Sequence, residues 1–532
     1  MSKPSNRPNR EAIKNKRKER KKAQKELRIS QQEQGLEPKS HASYSNSTSV
    51  YDTVEQEHEG RLEAVSEQVR IIKSLFPRLL KQLSKIPDPR NPKKIKYSMT
   101  LLMIYGILMF VFQISSRRQV NKKMTQPQFK ENLNLMFPEL VDLPHSDTLF
   151  RLLSSIDVDE IEASLISLIK QLIDKKKFRR FLINNCYPIA IDGTQKMPFN
   201  DLWCEQLLQR KKKKKKDKKE NKSSSSIDGD DKTELEGEEQ DYYQYYVYVL
   251  EANLSFHNGM VFPLLSEFLE YEQGDMENNK QDCEQRAFKR LAKRLKQYFP
   301  NLAIILLLDG LYANGPIMEE CEKYHWQFMI VLKEDQLSNV WEEYYSLLKL
   351  SSDNHYEMNW GTRHQQFKWV NNIEYYYGTN NCNHITIHVT TCDEQWETIN
   401  KEGEKVTMQS HHAWISSRPL TRNNLHERCN LGARYRWGIE ANFLVEKHQG
   451  YHYEHCFALD WQAMKGYHYL MRLGHLFNTL ARFSSTLNKF FKQLGVQGFI
   501  SFIYNTFTGP WLNAKEVNAR LIKPFRLSFN TR

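Results

Sequence analysis

Two short apolar runs in the 532-residue chain end in Asp-Gly: YPIAIDG, which delivers Asp192, and LAIILLLDG, which delivers Asp309. Each reads as a buried strand carrying a carboxylate at its C-terminal end, where α/β sheets place their ligands. One such run is weak, because Asp-Gly also marks ordinary turns; two are better. A third acid, Glu440, stands in RYRWGIEANFLVEKHQG, Arg434 to Gly450. Read as a helix, this stretch brings Arg436, Glu440 and Lys447 within roughly 40° of one another at about 100° per residue. Phe443 joins that face, Ile439, Trp437 and Leu444 flank it as packing residues, and Gly450 ends the helix. An Arg–Glu pair at this spacing is also common surface decoration. With the two Asp strands, however, three carboxylates could hold two divalent ions about 3.5–4 Å apart across a scissile phosphate, one activating the attacking oxygen and one stabilising the leaving oxygen. Carboxylate oxygens suit Mg²⁺ or Mn²⁺ better than thiolates or imidazoles do. Arg436 and Lys447 would grip phosphates beside the cut.

The segments between the two aspartates supply the elements needed to bring them together. Tyr245–Ser255 and Met260–Phe268 flank the turn signal HNG and read as two antiparallel strands. A helix follows in KQDCEQRAFKRLAKRLKQYF, with Ala287, Leu291 and Leu295 inward, then the second Asp strand, a helix (GPIMEECEKY) and a strand (QFMIVLK). The order β-β-β-α-β-α-β is that of a ribonuclease-H-like fold, in which the first and fourth strands are neighbours. Asp192 and Asp309 would then face each other at adjacent strand ends.

With these residues in view, the chain resembles the DDE transposases of bacterial insertion sequences, in the branch with a β-rich insertion and a signature helix. That signature is Tyr, two residues, Arg, three residues, Glu, six residues, Lys. Arg436, Glu440 and Lys447 match it, while Ala433 stands where the tyrosine belongs and Tyr435 is out of register. AIDGTQ, PLLSEF, KQDCE, DGLY, GYHYEH and the stretch MKGYHYLMRLGH extend the resemblance over roughly residues 75 to 480. It implies that Asp192, Asp309 and Glu440 bind two Mg²⁺ or Mn²⁺ ions, that element ends are cut and joined to target DNA, and that a homodimer assembles on double-stranded DNA. A domesticated or inactive DNA-binding derivative and a nuclease of the same fold are the alternatives.

A formal charge of +13 favours a polyanionic partner. Eight cysteines without any CxxC pair suggest neither a zinc site nor a disulfide framework, and fit a reducing bacterial cytoplasm. The most apolar window, Leu101–Phe112, is too short to span a bilayer comfortably, no signal peptide precedes it, and no membrane partner is expected. Residues 1–50 read as a disordered basic tail, with thirteen Lys/Arg against five Glu in the first forty residues. A nucleic-acid arm and a solubilising segment explain that tail equally well.

Residues 51–180 form a helical N-terminal domain, with a possible DNA-binding role, in which Ser146 or Asp147 could cap one helix. Residues 181–335 hold the first part of an α/β core. It is interrupted by an insert, 210–240, that opens with Lys211–Lys216, turns acidic, and reads as a disordered loop. A β-rich insertion, 336–425, follows; its Trp360, Trp369 and Trp414 read as core residues rather than base-stacking wedges. Residues 426–485 complete the core and 486–532 form a helical tail. Glu319, Glu320, Glu322 and Glu334 rival Glu440 as third acid, but lack its basic neighbours. His452, His455, His468 and His475 spread over different faces.

Overall fold

The structure, a computed structural model, describes residues 10–38, 48–138, 140, 142–213, 241–270, 280–350 and 353–530. It is mixed α/β, with a large mixed sheet preceded by helices. The first helices are α1 (Arg10–Glu33), α2 (Val54–Leu83), α3 (Met99–Val111), α4 (Arg117–Lys123), α5 (Pro127–Met136), α6 (Ser146–Leu153) and α7 (Asp159–Asp174). Thr53, Ser98 and Ser116 start α2, α3 and α4 by accepting a backbone N–H from three residues on. For α6 the cap is His145, whose ring accepts from Asp147 N, rather than Ser146 or Asp147. The basic tail expected to be disordered is helical over Arg10–Glu33. Its Ala, Lys, Arg, Gln and Glu content favours helix even where little surface is buried, and only its C-terminal end is docked.

The sheet begins with β1 (Tyr187–Phe199), β2 (Leu208–Lys213), β3 (Asp241–Ser255) and β4 (Val261–Leu269). After α8 (Lys280–Tyr298) come β5 (Ile304–Leu308), α9 (Gly315–Lys323), β6 (Gln327–Val331) and α10 (Ser338–Leu348). Four strands follow: the short β7 (His355–Trp360) and the long β8 (Arg363–Tyr377), β9 (Asn383–Ile399) and β10 (Lys405–Ser416). All join one sheet of order β2-β3-β1-β5-β6-β10-β9-β8-β7, with β4 also paired to β3. β1 and β5 are parallel neighbours, as are β5 and β6. The β-rich insertion continues the core sheet, because β10 pairs antiparallel with β6 from Trp414 to Ser416. The insert expected to be disordered from residue 210 is a strand as far as Lys213, paired to β3; residues 214–240 lie outside the described residues.

The chain ends with α11 (Trp437–His448), α12 (Trp461–Phe483), α13 (Asn488–Thr508) and α14 (Ala514–Leu521). α12 is buried along almost its whole length and packs on α3, α6, α7 and β4. α13 returns to α2 and α5, and α14 to the same two helices. One hydrophobic core therefore runs from Leu62 to Leu527, and the helical domain, the sheet and the C-terminal helices share it. A second core on the sheet contains Ala190, Leu307, Trp369, Trp414, Ile439 and Phe443. Among the described residues no helix is long and apolar enough to cross a membrane.

The α3–α12 crossing depends on glycine. A Cβ on Gly474 would lie 2.6 Å from Phe110 Cβ and 3.1 Å from the backbone of α3, and one on Gly106 would lie 2.7 Å from Leu470. Backbone cannot yield as a side-chain tip can, so Gly474→Ala is expected to destabilise the fold by about 1–3 kcal/mol, read as a lower Tm in thermal unfolding.

Candidate functional site

Asp192 and Asp309 are brought side by side by strand register. β1 pairs with β5 from Tyr187↔Ile304 to Ala190↔Leu307, and each aspartate follows two residues beyond the last pair. Strand alternation puts both on the face of Ala190 and Leu307, where the second core lies. Asp192 Oδ1 accepts from Gly193 N at 2.9 Å, and Asp309 Oδ1 accepts from Leu311 N at 2.9 Å, starting a short 3₁₀ turn. Gly193 is required locally, since a Cβ there would stand 2.7 Å from the Tyr248 ring. Burial pushes the Asp192 carboxyl up to about 7; Arg436 opposes the rise, while the charges of Asp309 and Glu440 add to it.

Glu440 reaches the same place from α11. Arg436 lies between the acids, with Nη2 2.8 Å from Glu440 Oε1 and Nη1 3.7 Å from Asp192 Oδ2. Arg436 is only 5% exposed, and its Nε and Nη1 have no hydrogen-bond acceptor among the described residues. Lys447 is further along: Nζ donates to Gln195 O at 3.1 Å and pairs with Glu454 at 3.3 Å, so it ties α11 to β1. Gly450 ends the segment at φ +94°.

The helix expected across the whole of Arg434–Gly450 is regular only from Trp437. A π-turn over His426–Gly432 and a 3₁₀ turn over Ala433–Arg436 precede it. Ile439 and Phe443 are buried as expected, but Trp437 and Leu444, expected to pack, are 62% and 57% exposed. α11 sits close on the sheet at Gly438, beside Ser255, whose hydroxyl donates to Tyr435 O at 2.6 Å.

Asp309, Arg436 and Glu440 line an open cleft of about 1780 Å³. Of the rival acids, Glu334 is on its wall, whereas Glu320 pairs with Lys323 and Glu319 accepts from Tyr377. α13 contributes Val496 and Gln497 where it breaks at Gly495, φ +70°. The opposite wall holds Trp360, Arg363 and Arg434. Both arginines pair with the buried Glu394. Burial works against that charge, yet hydrogen bonds from His412 and Gln365 and the two guanidiniums hold the carboxyl at about 2. Trp369 and Trp414 are core residues as expected; Trp360 is half-buried at the cleft wall.

Behind the acids lies a buried ionic layer that sequence reasoning missed. Glu446, on α11, accepts from Asn442 at 3.0 Å and meets His475 Nδ1 of α12 at 2.7 Å. Glu251, cross-strand from Asp192, pairs with Arg472 and accepts from Tyr453 at 2.9 Å. Lys196 Nζ donates to Tyr453 O at 2.7 Å; burial lowers its pKa to about 8, against the pull of Glu251 and Glu446. Burial also opposes the charge on Glu446, but His475, Arg472 and Asn442 outweigh it. His468 and His475, expected on different faces, share one face of α12 and both belong to this layer. Its pairings are made across the fold, but part of it is periodic: His468, Arg472 and His475 stand at i, i+4 and i+7 on one face of α12.

Among the described residues no three His, Cys, Asp or Glu side chains stand close enough to hold a metal ion by themselves. Arg436, between Asp192 and Glu440, is the cation that the acids share. The donor set is nevertheless all carboxylate, the chemistry that Mg²⁺ and Mn²⁺ select.

Residues 80–169, from the end of α2 into α7, match the family model described as DDE_Tnp_1-associated, a domain found in DDE-type transposase families. The match covers the helices that carry the sheet and none of the three acids. No curated protein matches the chain.

The Asp192 shift has a measurable consequence. A carboxyl with a higher pKa folded than unfolded binds its proton more tightly in the native state, so its contribution to stability falls as pH rises from about 4 to about 7. Asp192→Asn should therefore be more stable than the parent chain at pH 8 without divalent metal by about 1–3 kcal/mol, read as a higher Tm in thermal unfolding. The difference should shrink as pH falls and vanish only below about pH 4.

Proposed function

We propose that the chain is a DNA transposase that cuts the ends of an insertion element and joins them to target DNA. The observation that carries this reading is the placement of Asp192 and Asp309 in register on adjacent parallel strands, with Glu440 facing them across Arg436. The match of residues 80–169 supports the same family. So does the neighbour order β4-β3-β1-β5-β6 within the sheet, which is that of a ribonuclease-H-like core.

In this reading Asp192, Asp309 and Glu440 hold two Mg²⁺ or Mn²⁺ ions, which would supply charge neutralisation at the reacting phosphate and an activated oxygen nucleophile. The protein's own residues do the rest. Arg436, with two donors not hydrogen-bonded, exchanges its carboxylate partners for a phosphate oxygen, for which its planar fork is suited. Lys447 fixes the distance between α11 and β1, so that Glu440 keeps its position relative to Asp192. The open cleft admits double-stranded DNA, and pairing two element ends calls for two protomers. Cleavage and joining are both in-line phosphoryl transfers and can share one set of acids.

Asp192→Asn, Asp309→Asn and Glu440→Gln should each lower Mg²⁺- or Mn²⁺-dependent cleavage at an element end by about 10³-fold or more. Duplex binding in gel-shift titrations should stay within a few-fold. Retained nicking in any of the three removes that residue from the site. Cleavage without joining in a strand-transfer assay would identify a nuclease instead.

A further inference from the structure

Helix α1 has no part in the reading above. It carries ten Lys/Arg against four Glu, and every residue from Arg10 to Glu19 is exposed. Arg10, Lys14, Lys18, Lys21, Lys25 and Arg28 fall inside roughly 80° of arc at 100° per residue, a straight stripe about 27 Å long. Like charges at this spacing repel along a helix, so the stripe gains most from a counter-charged partner lying along it.

The helix is also aimed. Its C-terminal end docks through Gln31, buried and 3.5 Å from Glu397 O, and just beyond it Glu37 N donates to Gly361 O at 3.3 Å in the β7–β8 turn. Between α1 and that hairpin runs a second cleft of about 530 Å³, on which Lys21, Lys25 and Arg28 open. Trp360, Arg363 and Tyr435 line both this cleft and the one holding Asp309 and Glu440, so the two are continuous. Guanidiniums cover the indole faces: Arg363 lies 3.8 Å over Trp396 and Arg434 5.2 Å over Trp360. The passage therefore presents positive charge rather than platforms for stacking bases.

A straight cationic stripe joined to the acid cleft fits a polyanion that is itself straight over this length, as duplex DNA is. We infer that α1 is a phosphate-binding arm that holds the duplex flanking the reacting phosphodiester. The inference rests on the transposase reading and adds to it a contact that is independent of base sequence.

The test uses the full chain and a labelled random-sequence duplex, titrated over a range of salt. Replacing Lys18, Lys21 and Lys25 together by Gln should reduce the slope of log Kd against log salt by about 2.7, at about 0.9 per lost phosphate contact. The matching triple Arg variant should keep the parent slope. Thermal melts of both should overlay the parent, because these side chains sit on a projecting helix. An unchanged slope in the Gln variant overturns the arm while leaving the acids untouched, as would a change seen on an RNA duplex but not on DNA. If the parent chain itself shows no salt-dependent duplex binding, the transposase reading falls, and the arm with it.

Discussion

Like-charge repulsion at the end of two parallel strands is the constraint around which this molecule is arranged. The β1–β5 register leaves Asp192 and Asp309 no choice but to lie together, and Glu440 adds a third carboxyl. Burial and the neighbouring charges of Asp309 and Glu440 push the Asp192 carboxyl up, and a cation beside it opposes that rise. Arg436 is that cation here. Its own burial is tolerable because it has carboxylates on two sides, and the same geometry would make it available to a phosphate whenever another positive charge takes over its task.

Holding a helix against such repulsion takes anchoring, and α11 is anchored to both α12 and β1. Glu446 is fixed to α12 through His475, and Lys447 is fixed to β1 through Gln195. Removing one member of a buried charged layer leaves another unpaired, which is costly; the layer thus makes one placement of α11 much better than its alternatives. α12 carries that constraint to α3, α6 and α7, so the helices whose sequence matches a transposase-associated domain are the foundation on which the acid-bearing sheet rests.

The strands before Asp192 and Asp309 were legible as uninterrupted apolar runs, and the order of elements between them led to the β1–β5 pairing that the structure shows. The buried helix at Leu101–Phe112 was legible for the same reason. What could not be read was decided by contacts between distant segments. Trp437 and Leu444 lie together on one side of α11 and Ile439 and Phe443 on another, and only the second side meets the sheet; which side is covered is set by the tertiary fold, not by the helical step. The order of α1 escaped a composition argument because helix propensity, not burial, carries most of it. Glu394 with Arg363 and Arg434, and Glu446 with His475, are meetings across the fold with no local pattern. The N-terminal helices, the sheet and the C-terminal helices share one hydrophobic interior, since α12 is buried on nearly every face and needs partners on all of them.

The burial of α3 against α12 also bears on how the chain is made. The hydrogen bond from Asn478 to Val111 O spans 367 residues, and the same span separates the most apolar helix from the surface that covers it. At ribosomal speeds of about 5–20 residues per second, α3 leaves the exit tunnel roughly 20–70 s before α12 does. Through that interval the apolar α3 lacks the surface that covers it in the fold, and the acids on β1 and α11 acquire their footing only once α12 has been made.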